Sequence, residues 1–183
     1  MSQQLNFQNF QANNDNKLVQ LVSFKVSEEE YGIDILQVQE IIRMLPIAIV
    51  PSAPNFVKGV IDLRGEVIPI IDMRKRFKLA STPYNNETRI IVVHTHDFTV
   101  GFIVDAVCEV IRINESAIEP APPVLTNANG DGANYIRGVS KLEKGLLILL
   151  DLNNLISLEI LEELMNSTKN MKNCQDCPMA PKD

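Results

Sequence analysis

The sequence predicts a mainly β protein built as two small barrels, and three observations carry that prediction. First, FVKGVIDLRGEVIPIIDMRKRF, from Phe56 to Phe77, returns as YIRGVSKLEKGLLILLDLNNLI, from Tyr135 to Ile156, at a constant shift of 79 positions. Gly59, Val60, Leu63 and Asp72 reappear as Gly138, Val139, Leu142 and Asp151, while Val57, Val67, Ile70 and Ile71 become Ile136, Leu146, Leu149 and Leu150. A repeat of this length marks two related units, each reading strand, tight turn, strand. Second, runs rich in Val, Ile and Leu between turn residues amount to about ten strands in two clusters of about five, a number suited to two small barrels with few open edges. Third, a 183-residue chain with 45% apolar residues can bury a sizeable core.

Each element follows in order. Residues 1–16 are rich in Gln and Asn and nearly uncharged, so they form a disordered polar arm. From residue 17 to 157 runs the β domain. LVQLVSFKV, YGIDI and VQEIIRM read as strands, with SEEEYG turning the chain between the first two. PIAIVPSAP, from Pro46 to Pro54, reads as a crossover into the first repeat copy, because each Pro removes a backbone donor. Within that copy Arg64 and Gly65 form the turn, and Gly supplies the positive φ that a tight hairpin demands. In the second copy the glycine slips one place, to Gly145, which predicts a different turn. Pro69 stands where the other copy has Ile148, implying an edge or a bulge.

Between the copies, TRIIVVHTH and TVGFIVDAVCEVIRI read as a hairpin turning at His96 and Asp97. The Pro-, Asn- and Gly-rich stretch after Ile113 reads as a long connection with one helical turn at its start. LISLEILEELMNSTK places Leu155, Leu158, Ile160, Leu161 and Leu164 at helical spacing, so an amphipathic C-terminal helix is expected over 158–168. Residues 169–183 form a mobile tail carrying Cys174 and Cys177.

Composition excludes several functions. A net charge of −6 and the absence of Trp argue against nucleic acid, which needs clustered cations and stacking rings. The longest apolar run, Leu146 to Leu150, is too short to enter a bilayer as a span, so no direct membrane insertion is expected. The first residues lack the basic and apolar regions of a secretory signal, and three cysteines make no disulfide framework, so a reducing cytoplasm is expected. His94 and His96 share a strand face, but two ligands without a third make no zinc site. A lone CxxC at Cys174 and Cys177 ordinarily needs a second pair, so neither metal nor cofactor is expected. A redox- or zinc-responsive module using that CxxC is the alternative reading. No nucleophile and base, phosphate-cradling loop or catalytic carboxylate pair can be placed, so the chain reads as no enzyme. Asp72 and Asp151, at equivalent strand ends, read as turn caps.

Four separated blocks carry a resemblance: EEEYGIDILQVQEI (28–41), PNFVKGVIDLRGEVIPIIDMRKRF (54–77), VGFIVDAVCEV (100–110) and IRGVSKLEKGLLILLDLNNLI (136–156). In this order and spacing they resemble the CheW-like coupling family of bacterial chemotaxis, from about Leu18 to Ile156. The resemblance implies two five-stranded SH3-like β-barrels packed over a shared core. It also implies a non-catalytic adaptor that binds the cytoplasmic tips of methyl-accepting chemoreceptors and the regulatory domain of the histidine kinase CheA, recruited to membrane-bound receptor arrays. Self-association of CheW-like domains in those arrays is implied as well, since the same domain occurs in the kinase and in CheV. A chain of 183 residues has no room for the kinase's catalytic regions or the receiver domain of CheV, so a free-standing coupler is expected. The resemblance assigns Val38, Gly59 and Arg64 to receptor coupling, with Glu40 and Asp62 close by in the same motifs. Val38 would give apolar contact, Gly59 close backbone approach, and Arg64 hydrogen bonds to a partner. Ile90 is expected to line the same groove, since a helical hairpin docks into an apolar channel. The basic run Arg74, Lys75, Arg76 and Lys78 reads as a solvated face or a contact for an acidic partner. The polar arm and the Cys tail belong to none of the four blocks.

Overall fold

Where the sequence alternates or masses branched residues, the chain forms strands: β1 (Leu18–Val26), β2 (Glu29–Asp34), β3 (Val38–Arg43), β4 (Val57–Leu63), β5 (Glu66–Asp72), β6 (Arg89–Thr95), β7 (Phe98–Val104), β8 (Ala106–Asn114), β9 (Ile136–Leu142) and β10 (Gly145–Leu150). Three short helices, α1 (Met73–Arg76), α2 (Pro123–Asn127) and α3 (Leu152–Leu155), and two 3-10 turns stand beside the strands among the described residues of 17–156. The computed structural model describes residues 17–95, 98–127 and 134–156, together with Glu162 and Asn166. The arm expected at 1–16, the tail with Cys174 and Cys177, and His96 lie outside the described residues. So does the helix expected at 158–168, apart from Glu162 and Asn166, which are helical.

The strands form two five-stranded sheets, in the orders β3-β6-β7-β5-β4 and β8-β1-β2-β10-β9. The first, here the central lobe, uses strands contiguous in sequence; the second, the terminal lobe, joins the two ends of the domain. The expected fold class is therefore found, with an exchange that the strand count alone does not show. Hairpin β6–β7 completes the sheet of the first repeat copy, whereas hairpin β1–β2 completes that of the second. Each hairpin joins its sheet through a parallel pair, β5 with β7 and β10 with β2. The stretch TVGFIVDAVCEVIRI divides at Asp105: β7 stays in the central lobe and β8 enters the terminal one.

PIAIVPSAP does more than cross over. Ala48 exchanges two backbone hydrogen bonds with Val60, of 2.9 and 2.8 Å, which tie the segment after β3 to β4 at the opposite edge of the sheet. Glu119, after β8, does the same with Val139 of β9, at 2.8 and 2.9 Å. Each sheet is thereby drawn round on itself. The repeated glycine makes this approach possible: a Cβ on Gly59 would lie 2.1 Å from the Ala48 carbonyl oxygen, and one on Gly138 would lie 2.6 Å from that of Glu119. Both glycines stand beside a bulge, at Lys58 and Arg137, where β4 and β9 carry one residue more than their partners.

The largest apolar cluster lies between the lobes. Val22, Phe24, Val26 and Ile33 of the terminal lobe meet Ile71, Ile91, Val93, Val100 and Phe102 of the central one. Each lobe keeps a smaller core of its own: Ile61, Ile68, Ile70, Ile90, Val92 and Ile103 in the central lobe, and Val19, Leu21, Leu147 and Leu149 in the terminal lobe. Burial of this kind stabilises by about 25 cal/mol per Å² of apolar surface, so the shared face dominates the cohesion of the fold. The repeated aspartates, expected as turn caps, cap the short helices that end each copy. Asp72 Oδ1 accepts from the Arg74 and Lys75 amides, and Asp151 Oδ1 from those of Asn153 and Asn154.

Candidate functional site

The two repeat copies part company at their turns. Leu63 pairs with Glu66, leaving Arg64 at φ 55° and Gly65 at φ 84°, both left-handed, which is the two-residue hairpin whose twist matches its strands. Asp62 fastens this turn by accepting the Gly65 amide at 2.7 Å. In the other copy Leu142 pairs with Gly145 at φ 149°, and neither Glu143 nor Lys144 has a positive φ, so the turn differs as the displaced glycine predicts. Gly65 bears its conformation at no cost. Arg64 does not, since a Cβ at left-handed φ costs about 1–2 kcal/mol.

That strain holds the Arg64 guanidinium over β3. Nη1 donates to Glu40 Oε1 at 2.9 Å and Nη2 to Oε2 at 3.0 Å, a two-pronged pair from the tip of the β4–β5 hairpin to the strand at the opposite edge of the sheet. The Arg64 side chain remains 77% exposed while that of Glu40 is 21% exposed, so the carboxylate is anchored and the cation faces outward. The guanidinium keeps further N–H donors pointing to solvent. Val38, Glu40 and Ile42 alternate with the exposed Gln39, Ile41 and Arg43 along β3. Val38 is half-buried against the shared core and Ile42 against the central lobe's own.

Four of the six expected site residues, Val38, Glu40, Asp62 and Arg64, thus gather at one edge of the central lobe. The other two lie beneath it. Ile90 is fully buried among Ile61, Ile68, Ile70 and Ile103, so it cannot line a groove; its branched side chain fills the core, where it packs against the open face of Gly101. Gly59 is buried too, and the backbone that approaches it is Ala48 of its own chain. Exposed Ile41, Leu45 and Ile49, on β3 and the segment that follows it, were not singled out by sequence. For Ile49 a signal was there in PIAIVPSAP, an apolar stretch between prolines that pairs with β4 only through Ala48.

Two members of the basic run, Arg74 and Arg76, turn to partners inside the molecule, whereas Lys75 is half-buried and Lys78 exposed. Arg74 binds Asp105, and Arg76 lies over the Phe56 and Tyr135 rings. Tyr84 donates to Asp72 Oδ2 at 3.3 Å, and burial, together with the Asp72 charge, pushes its phenol up to about 12. Exposed His94 meets Thr99 Oγ1 at 3.3 Å. Among the described residues no three His, Cys, Asp or Glu side chains are placed to hold a metal, and no helix is long and apolar enough to cross a membrane.

A family model described as the CheW-like domain matches residues 20–159. The chemotaxis protein CheW of Treponema pallidum is 36% identical over 151 residues, covering 80% of this chain and 87% of that protein. The one from Helicobacter pylori is 35% identical, covering 76% and 82%. Among solved structures, the scaffolding protein TtCheW of Thermoanaerobacter tengcongensis superposes with a TM-score of 0.71 at 37% identity, over 78% of this chain and 94% of that one.

Proposed function

The chain belongs to the CheW-like domain family of chemotaxis scaffolding proteins, and from that premise we propose that it couples methyl-accepting chemoreceptors to the histidine kinase CheA without catalysing a reaction itself. In this reading the β3 edge receives the receptor tip. The observation that carries it is Arg64: an exposed cation kept in a strained turn conformation and aimed by Glu40, where glycine or asparagine would make the same turn more cheaply. A helical hairpin offers apolar side chains at i, i+3 and i+4. Val38 supplies apolar contact to them, Arg64 donates to carbonyl or carboxylate oxygens, and Asp62 and Glu40 hold Arg64 in place. Gly59 serves the same edge from within, by letting the segment that carries Ile49 close onto β4.

The kinase's regulatory domain is the second partner, and other CheW-like domains in the array are the third; the protein works in the cytoplasm, recruited to membrane-bound receptors. Coupling of this kind requires unequal affinity for the two receptor states, since equal binding shifts no equilibrium. Assembly in an array raises the effective concentration of modest contacts. The test is autophosphorylation of a cognate CheA with receptor-bearing membranes, with and without this protein. Strong stimulation that receptor ligand suppresses supports the reading, and folded protein that leaves the kinase rate unchanged overturns it.

A further inference from the structure

The four residues of α1 belong by sequence to the central lobe, yet three of them reach out of it. Met73, 1% exposed, enters the core between the lobes. Arg74 donates through Nε to Asp105 Oδ1 at 2.8 Å and through Nη2 to Oδ2 at 2.6 Å. Asp105 is the single residue between β7 and β8, where the chain leaves one lobe for the other. Its Oδ2 also accepts the Ser27 amide at 2.7 Å, in the β1–β2 turn of the terminal lobe. Arg76 goes further: its guanidinium carbon lies 5.3 Å from the Phe56 ring centre and 5.2 Å from that of Tyr135, and Nε and Nη2 both donate to the Leu155 carbonyl at 3.3 Å. Just after α1, Phe77 stacks between Tyr31 and Tyr135 of the terminal lobe, at 4.9 and 5.6 Å.

The repeat shows what these contacts are for. Phe56 and Tyr135 are equivalent positions in the two copies, so Arg76 sits between a residue and its own counterpart. The counterpart of α1 is α3, Leu152, Asn153, Asn154 and Leu155, which has the same aspartate cap and no cation. A lobe can therefore close its last turn without arginines; Arg74 Nη1 does donate to the Ala80 carbonyl of its own lobe at 3.0 Å, but the other side-chain partners of Arg74 and Arg76 lie at the junction between the lobes or across it. A guanidinium suits the task, because its plane stacks on rings while its edge donates hydrogen bonds.

We propose that α1 is an arginine clasp that fixes the angle between the two lobes, with Arg74 and Arg76 as positioning residues through which engagement of one lobe is transmitted to the other. The transmission half rests on the coupler reading; the clasp half stands without it.

The experiment uses the full chain with Cys174→Ser and Cys177→Ser, spin-labelled at the exposed native Cys108 of the terminal lobe and at Glu66→Cys of the central lobe. Arg76→Met and Arg74→Gln are compared with the parent. Double electron resonance should give one narrow distance distribution for the parent and at least a twofold broader one for each variant. Separate binding of a receptor-tip fragment and of the kinase regulatory domain should stay within twofold, while receptor-dependent kinase stimulation falls at least fivefold. Distributions as narrow as the parent's in both variants overturn the clasp. Broadened distributions with full stimulation overturn the transmission. If Arg76→Met fails to fold, Arg76→Lys decides: it keeps a cation over the rings, loses the two-pronged donation to Leu155, and should broaden the distribution to a lesser degree. A parent that stimulates no kinase refutes the coupler reading alone and leaves the distance measurement to judge the clasp.

Discussion

Gly59 and Arg64, five positions apart in one hairpin, carry opposite kinds of positive φ. At Gly59, φ 150° coincides with a carbonyl 2.1 Å from where a Cβ would sit, so both backbone and packing demand glycine. Gly59→Ala should cost about 3 kcal/mol or more. Gly65→Ala, with nothing within 4 Å, should cost only the conformational 1–2 kcal/mol or so; urea denaturation of the two variants checks the order, and equal losses would count against closure at Ala48. At Arg64 the demand is reversed. Arg64→Gly relieves about 1 kcal/mol of strain and gives up an exposed ion pair worth at most about 1 kcal/mol. Its stability should stay within about 1 kcal/mol of the parent's while receptor-dependent kinase stimulation falls about tenfold, the cost of losing one anchoring contact. Sequence alone flags both positions but cannot separate them, because a glycine kept for closure and a glycine kept for a partner read the same. Ile90 misleads for a similar reason: a branched residue in a strand shows its burial only once its neighbours are placed.

Among the elements, the strands were legible because branched residues mark them, and the caps because Asp72 and Asp151 repeat. The basic run after β5 was not, since charge suggests solvent and the partners of Arg74 and Arg76 lie 31 and 79 positions away. Asp105 shows what that partnership does to a titration. Its partial burial would raise its pKa, but the Arg74 hydrogen bonds, the Ser27 amide and the Arg74 charge together hold it below the usual carboxylate range. A carboxylate with a depressed folded value stabilises the protein fully above its unfolded value of about 3.9, and that contribution fades as pH falls through the folded value. The parent should therefore lose stability on acidification from about pH 4 downward. With side chains 18% and 29% exposed, the pair stands between a surface and a buried one, so Asp105→Asn should cost about 1–2 kcal/mol at pH 7. The variant should also show a flatter acid limb in thermal melts taken from pH 7 to pH 2. A steeper limb in the variant would mean that Asp105 is stabilised by protonation, against the geometry.

For the whole molecule, the exchange of hairpins decides how it comes apart. The repeat spans only the strand pair that opens each copy, so the sequence reveals two units without revealing that each borrows a hairpin from the other's stretch of chain; β1–β2 and β6–β7 differ too much in sequence to be matched by eye. Once exchanged, neither lobe is independent. The terminal lobe needs both ends of the domain, and although β3 to β7 are contiguous, the central lobe leaves Ile71, Ile91, Val93, Val100 and Phe102 facing the other lobe. Exposing that face costs the larger share of the buried apolar surface, and a domain's margin is only about 5–15 kcal/mol. Equilibrium unfolding in urea should therefore be a single transition, with far-ultraviolet circular dichroism and tyrosine fluorescence coincident. Tyr31, Tyr84 and Tyr135 make the second probe informative, since Tyr31 and Tyr135 report the inter-lobe stack and Tyr84 the central lobe. A fragment spanning 38–105 should show no cooperative transition of its own. Two separated transitions in the full chain, or a fragment that melts sharply, would place the cohesion within the lobes instead of between them.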